Sequence, residues 1–172
     1  WISKKYFDEG LIYEGHKILP YCPRCGTALA SHEVALGYKD ETLDSVYVKL
    51  KVKGKENEYI LIWTTTPWTL PSNVAVAVNP EDTYVRARSG DEVFCLVKER
   101  VAQVLGKDAE VLSEMKGKDL EYLEYEQLFP FVVPEEKAFY VVCAEYVSTE
   151  DGTGMVHTAP AFGEDDYRTG VK

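Results

Sequence analysis

Two stretches of the chain carry side chains with chemistry to offer. The first is WTTTPWTLPSN at residues 63–73, where Thr64, Thr65 and Thr66 end an apolar run, YILI, and Pro67 follows at once. Successive residues of a strand point to opposite faces, so three threonines in a row cannot all serve one surface. Strand propensity alone accounts for threonine in such a place. A strand that stops there, however, leaves hydroxyls and freed backbone amides at its end, a set suited to holding a polar ligand. Hydroxyls without an adjacent base are poor nucleophiles. The chemistry they support is the positioning of a substrate and a water rather than covalent catalysis.

The second stretch is GTGMVHTAPAFGEDDY at residues 152–167. Gly152, Thr153 and Gly154 allow a tight turn into a short strand carrying His157, and Pro160 breaks the ladder. Asp165 and Asp166 follow at the start of an expected helix. Each has an ordinary structural reading: aspartates cap a helix N-terminus and suit its dipole, and a histidine at a strand end packs. Together they place a titratable ring and two carboxylates around one loop shaped by glycine and proline, which is the pattern of a site.

A third feature is the CPRCG turn with Cys22 and Cys25. Two thiolates at a tight turn suit zinc, but a structural zinc site needs four ligands. His16 and His32 are the nearby alternatives, and neither has finger spacing. The pair is either half of a zinc site completed elsewhere or a reduced turn with two incidental cysteines. Cys95 and Cys143 sit in apolar strands, VFCLV and YVVCAEY, where a thiol acts as a small hydrophobe. Nothing suggests a disulfide framework, so a reducing compartment is expected.

These residues need a scaffold. Residues 1 to about 14 read as an amphipathic helix, with Ile2, Tyr6, Phe7 and Leu11 at helical spacing and Gly15 as its stop. SVYVKLKV (45–52) alternates with period two and reads as a half-buried strand. YILIWTT returns as its hairpin partner after the polar turn KGKENE. NVAVAV (73–78), TYVRARS (83–89) and EVFCLVK (92–98) continue the strands, with NPED and SGDE as turns. KERVAQVL is short and helical, AFYVVCAEYV (138–147) is the most apolar strand, and 116–136 has no clear pattern. Many short strands with few helices predict an α+β domain on a closed or strongly curved sheet. A doubly wound parallel sheet is not expected, because long crossover helices are missing.

The chain has 172 residues and is 45% hydrophobic, enough for one well-cored domain. Its net charge of −10 opposes a broad grip on phosphates. Either nucleic acid is not a partner, or only a small end of it is handled here. No apolar run approaches the roughly 20 residues needed to span a bilayer, and no basic-then-apolar pattern of the signal-sequence kind is seen in these residues. A cytoplasmic protein without membrane contact is expected. Opening on Trp1 and stopping at GVK, the sequence reads as a piece of something larger.

WTTTPWTLPSN, followed by GTGMVHTAP and GEDDY, resembles the editing domain of isoleucyl-tRNA synthetase, also called connective polypeptide 1. The resemblance covers essentially the whole chain, including YCPRCGTALASHEVALGYKD near the start. Valyl and leucyl relatives usually carry an arginine in the threonine-rich stretch, as in TTRP or TRPE, and this chain has TTTPWT. The resemblance implies a β-barrel-like editing domain with a few peripheral helices over residues 45–172. Residues 1–44, the helix and CxxC knuckle, would connect it to the synthetase body.

An apolar pocket can reject valine in favour of isoleucine by only about 1–3 kcal/mol, a limit for which isoleucyl-tRNA synthetase is itself the standard illustration. The resemblance therefore implies a second pocket that hydrolyses valine esterified to the 3′ acceptor end of isoleucine tRNA and, with tRNA bound, valyl-adenylate. It implies that Asp166 holds the α-ammonium, with Asp165 beside it, and that His157 borders the side-chain pocket and excludes isoleucine. Thr64, Thr65 and Thr66 would contact the ester, the adenosine and the water, with Thr65, Thr66 and Asp166 as the catalytic set. Trp63, Trp68 and Asn73 would frame the substrate. No metal or other cofactor is implied at that site. Zinc would be structural, held by Cys22 and Cys25 together with a second CxxC beyond residue 172 in the parent. The motifs of ATP-dependent aminoacylation are absent, so charging of tRNA would lie with the remainder of the synthetase. The alternatives are a non-catalytic zinc-ribbon module that docks tRNA, or the editing domain of a valyl- or leucyl-tRNA synthetase.

Overall fold

The computed structural model describes residues 1–171, and they divide after Asp40. The first unit holds α1 (Ile2–Asp8), the paired β1 (Tyr21–Cys22) and β2 (Thr27–Ala28) around the CPRCG turn, and α2 (Ser31–Ala35). The helix expected to run to residue 14 ends at Asp8. Gly10, not Gly15, is its stop. At φ +72° Gly10 takes the left-handed conformation, its N–H bonds Phe7 O at 3.0 Å, and Leu11 N–H bonds Tyr6 O at 2.8 Å. That pair of bonds satisfies the last carbonyls of the helix and turns the chain away.

The second unit begins at Glu41 and is built on strands. β3 (Val46–Lys51) and β4 (Glu58–Thr64) form the expected antiparallel hairpin, in register Val46 with Thr64 and Lys51 with Tyr59. The chain continues through β5 (Ala75–Val78), β6 (Thr83–Ser89), β7 (Glu92–Val97), the one-turn α3 (Val101–Val104) and β8 (Glu110–Lys116). It ends with β9 (Tyr140–Cys143), β10 (Met155–Thr158) and α4 (Glu164–Gly170). A five-stranded sheet has the order β3-β4-β7-β6-β8, and a three-stranded sheet the order β10-β5-β9. Both are mixed, because β4 pairs β7 and β5 pairs β9 in parallel.

The α+β class and the expected strands are present, but neither sheet closes into a barrel. Single links take the place of continuous ladders, as at the Val52–Tyr125 bridge and the Val97 N–H bond to Thr153 O at 2.9 Å. The strand expected over 138–147 is cut to four residues. Ala144 N–H still reaches Val78 O at 2.8 Å, after which a turn begins. β8 lies in a stretch with no strand assigned from the sequence.

β4 explains its own continuous apolar run. Ile60 and Ile62 enter the main core with Leu50, Val76, Tyr84 and Met155, while Leu61 enters a second cluster with Val85, Phe94 and Leu96. A strand covered on both faces has no reason to alternate. β10 packs beside the end of β4, which brings the two sequence motifs together. No helix among the described residues is long and apolar enough to cross a membrane.

Candidate functional site

Thr64 is the last residue of β4, and its buried hydroxyl answers why the strand ends in threonines. The backbone N–H of Thr66 donates to Thr64 Oγ1 at 3.0 Å, and the two hydroxyls lie 3.2 Å apart. The side chain thus takes over a donor that the ended ladder has freed, a common role for threonine at turns. Pro67 then opens a 3₁₀ turn over Pro67–Ser72, where its missing N–H costs nothing. One turn on, Thr69 donates its hydroxyl proton to Thr66 O at 2.9 Å.

The opposite wall depends on the GTG turn. Gly152 and Gly154 have φ of +66° and +67°, a region side chains rarely enter. A Cβ on Gly152 would stand 2.7 Å from Trp63 Cε3, and one on Gly154 would stand 2.6 Å from Val97 Cβ. Both glycines therefore allow close approach as well as the turn. Arg100 Nε donates to Gly152 O at 3.2 Å and Tyr84 O–H donates to Gly154 O at 2.7 Å, which holds the turn against the core. β10 leaves from it, paired to β5 with His157 opposite Val76.

His157 is 7% exposed and held at both ring nitrogens. Nε2 lies 2.8 Å from Thr69 Oγ1, and Nδ1 lies 3.2 Å from Asn73 Nδ2. The Thr69 proton is committed to Thr66 O, so Thr69 must accept from Nε2–H. The Asn73 amide group donates, so Nδ1 must accept. Both partners select one neutral tautomer. Burial also pushes the imidazole below its usual value, an effect that Asp166 only partly offsets. The ring is thus neutral, fixed at both nitrogens, and part of the cavity lining.

Trp63, Thr64, Thr66 and Thr69 face Val156, His157, Phe162 and Asp166 across a cavity of about 210 Å³. Asp166 Oδ2 accepts the Ala159 N–H at 3.0 Å, which ties α4 back to the end of β10. The aspartates do not cap the helix, since the N-cap is Gly163 and makes no side-chain cap bond, but they do lie in its first turn with Glu164, where the helix dipole favours acidic groups. Asp165, its neighbour on α4, turns outward with Oδ1 3.9 Å from Arg168. Of the residues singled out from sequence, Trp63, Thr64, Thr66, His157 and Asp166 converge here. Thr65, half-buried, does not line the cavity. Trp68 is 71% exposed outside it, and Asn73 stands behind His157. Thr69 was missed, although its three-residue spacing from Thr66 becomes a signal once the 3₁₀ turn is known.

In the first unit, Cys25 N–H donates to Cys22 Sγ at 3.4 Å, and this bond lowers the Cys22 thiol below its ordinary value. Among the described residues no three histidine, cysteine or acidic side chains gather as a metal set. Two sulphurs do not complete a tetrahedral zinc site.

Residues 1–159 match the family model of class I tRNA synthetases (I, L, M and V), and the chain belongs to that family. Within it, the sequence is similar to isoleucine–tRNA ligases. It is 57% identical over 172 residues to the isoleucine–tRNA ligase of Clostridium novyi, covering 100% of this chain and 17% of that protein. It is 57% identical over 166 residues to that of Clostridium tetani, covering 96% and 16%. With the enzyme of Thermus thermophilus it shares 52% over 174 residues, covering 98% and 16%. The chain thus spans about one-sixth of the length of these relatives. Its fold is that of leucyl-tRNA synthetase editing domains. The GlLeuRS CP1 domain superposes with a TM-score of 0.60 at 21% identity, covering 72% of this chain and 56% of that one. The editing domain of the P. knowlesi cytosolic enzyme gives 0.60 at 15% identity, covering 76% and 62%.

Proposed function

We propose that the cavity between the two motifs hydrolyses valine wrongly esterified to the 3′ end of isoleucine tRNA and, with tRNA bound, valyl-adenylate, within a parent isoleucine–tRNA ligase. The observation that carries this reading is the convergence of Thr64, Thr66, His157 and Asp166 on one small cavity. An editing site must hold an ammonium, an ester and a water, and must limit side-chain size. The Asp166 carboxylate offers a charge-assisted partner to the ammonium. The threonine hydroxyls offer polar contacts to the ester and to a water. His157, neutral and braced, supplies a fixed wall against which one extra methylene clashes. Catalysis here is placement of water against a bound ester. The acidic chain needs to accept only the acceptor end, with the rest of the synthetase holding the tRNA body. Zinc, where the parent holds it, belongs to the knuckle.

The test compares Asp166→Ala with Asp165→Ala in the full-length synthetase, using valyl-tRNA made on isoleucine tRNA. Deacylation is expected to be lost in the first and kept in the second. Unchanged deacylation in Asp166→Ala refutes the site assignment.

A further inference from the structure

The brace behind His157 extends beyond both motifs, to a residue in the stretch where the sequence showed no pattern. Tyr125 is 2% exposed, and its O–H donates to Asn73 Oδ1 at 2.7 Å. Asn73, 6% exposed, gives one N–H to Ala75 O at 2.8 Å, which leaves the other aimed at His157 Nδ1. The amide is thus held at its oxygen by the phenol and at its nitrogen by a strand carbonyl. Tyr125 is itself fixed by its N–H bond to Phe139 O at 2.9 Å, by its bridge to Val52, and by the Phe139 ring set edge-on at 6.1 Å.

We infer that Tyr125 is a positioning residue for the specificity wall: through Asn73 it fixes the tautomer and orientation of His157. The chain of donors runs one way, from Tyr125 O–H to Asn73 Oδ1, from Asn73 N–H to His157 Nδ1, from His157 Nε2–H to Thr69 Oγ1, and from Thr69 O–H to Thr66 O. Each group in it has one role left to it by its neighbours. Removing the phenol oxygen leaves Asn73 Oδ1 buried without that donor and the amide clamped at one end. The ring of His157 then loses its fixed acceptor role at Nδ1, and the wall it presents becomes mobile. The effect on size selection rests on the editing reading. The effect on the tautomer does not.

The test is Tyr125→Phe, read in two ways. With only three histidines in the chain, ¹⁵N spectra of the histidine rings resolve His157 from His16 and His32. The wild-type chain is expected to show Nε2–H with Nδ1 unprotonated, and Tyr125→Phe a mixture of both tautomers. In the full-length synthetase the same variant is expected to lose roughly 2- to 10-fold of its preference for valyl- over isoleucyl-tRNA in deacylation, the range one neutral hydrogen bond supports. If Tyr125→Phe does not fold, Asn73→Asp replaces the donor with an acceptor and is expected to draw the proton to Nδ1. A wild-type ring protonated at Nδ1, or variant spectra that superpose on wild type, overturns the inference. A changed tautomer with unchanged preference overturns the specificity role. A wild-type synthetase that deacylates neither substrate overturns the editing reading instead, and the spectra still decide the relay.

Discussion

Replacing Gly152 by alanine tests how the glycine turn sets the cavity wall. Two costs are expected. An L-residue at φ +66° is strained by about 1–2 kcal/mol. The new Cβ also meets Trp63 Cε3 at 2.7 Å, and Trp63 cannot withdraw freely because it lies in β4, opposite Tyr47. Overpacking of this kind costs about 1–3 kcal/mol. The sum is about 2–5 kcal/mol before the unfolded chain's lost freedom is counted, which returns about 0.4–1 kcal/mol. Gly90 supplies the control: its φ is +62°, in the two-residue turn between β6 and β7, and nothing lies within 4 Å of its Cβ position. Gly90→Ala should therefore cost only the backbone strain, about 1 kcal/mol after the unfolded chain's lost freedom is counted. Urea denaturation of both variants measures the difference. The two variants share the backbone strain and differ by the overpacking cost, so with a slope of about 1–3 kcal/mol per molar Gly152→Ala should lower the midpoint by about 0.3–3 M beyond Gly90→Ala. It should also slow deacylation in the full-length enzyme, because Trp63 lines the cavity. Equal midpoints for the two variants would refute the claim that close packing on Trp63 demands glycine.

Two further predictions concern His157. In the full-length enzyme His157→Ala should raise deacylation of correctly charged isoleucyl-tRNA by about 10-fold or more, the scale of discrimination by one methylene; no increase counts against a size-excluding wall. Because the folded-state pKa of His157 is depressed, the unfolded chain binds the proton first. Its contribution to stability is therefore whole above the unfolded pKa of about 6.5 and is lost as pH falls from there to the depressed value. Comparing urea midpoints of wild type and His157→Gln across that window should show a steeper acid loss in wild type.

Much of this scaffold was legible in residue patterns. The β3–β4 hairpin followed from alternation in one strand and a continuous apolar run in the other. β8 was not legible, since EVLSEMK is a largely exposed edge strand without an apolar face. The parallel pairing of β4 with β7 joins residues more than thirty apart in sequence, which no local pattern encodes. The site was half legible. Thr64, His157 and the Asp165–Asp166 pair stood out by type, but the preference for Asp166 came from the resemblance alone, because the rotation of α4 decides which of the two faces inward. Thr69 and Tyr125 were invisible for a different reason: they act on His157 through folded geometry, and their spacing to it carries no motif.

The editing reading requires that the cavity lined by Thr64, His157 and Asp166 receive the misattached amino acid. A structure with a non-hydrolysable valyl-adenosine analogue tests it most directly. The ammonium is expected within hydrogen-bond distance of Asp166 and the valine side chain against His157. An analogue seated instead in the larger groove of about 430 Å³ beside Tyr122, Tyr140 and Thr158, with the cavity left empty, would contradict it.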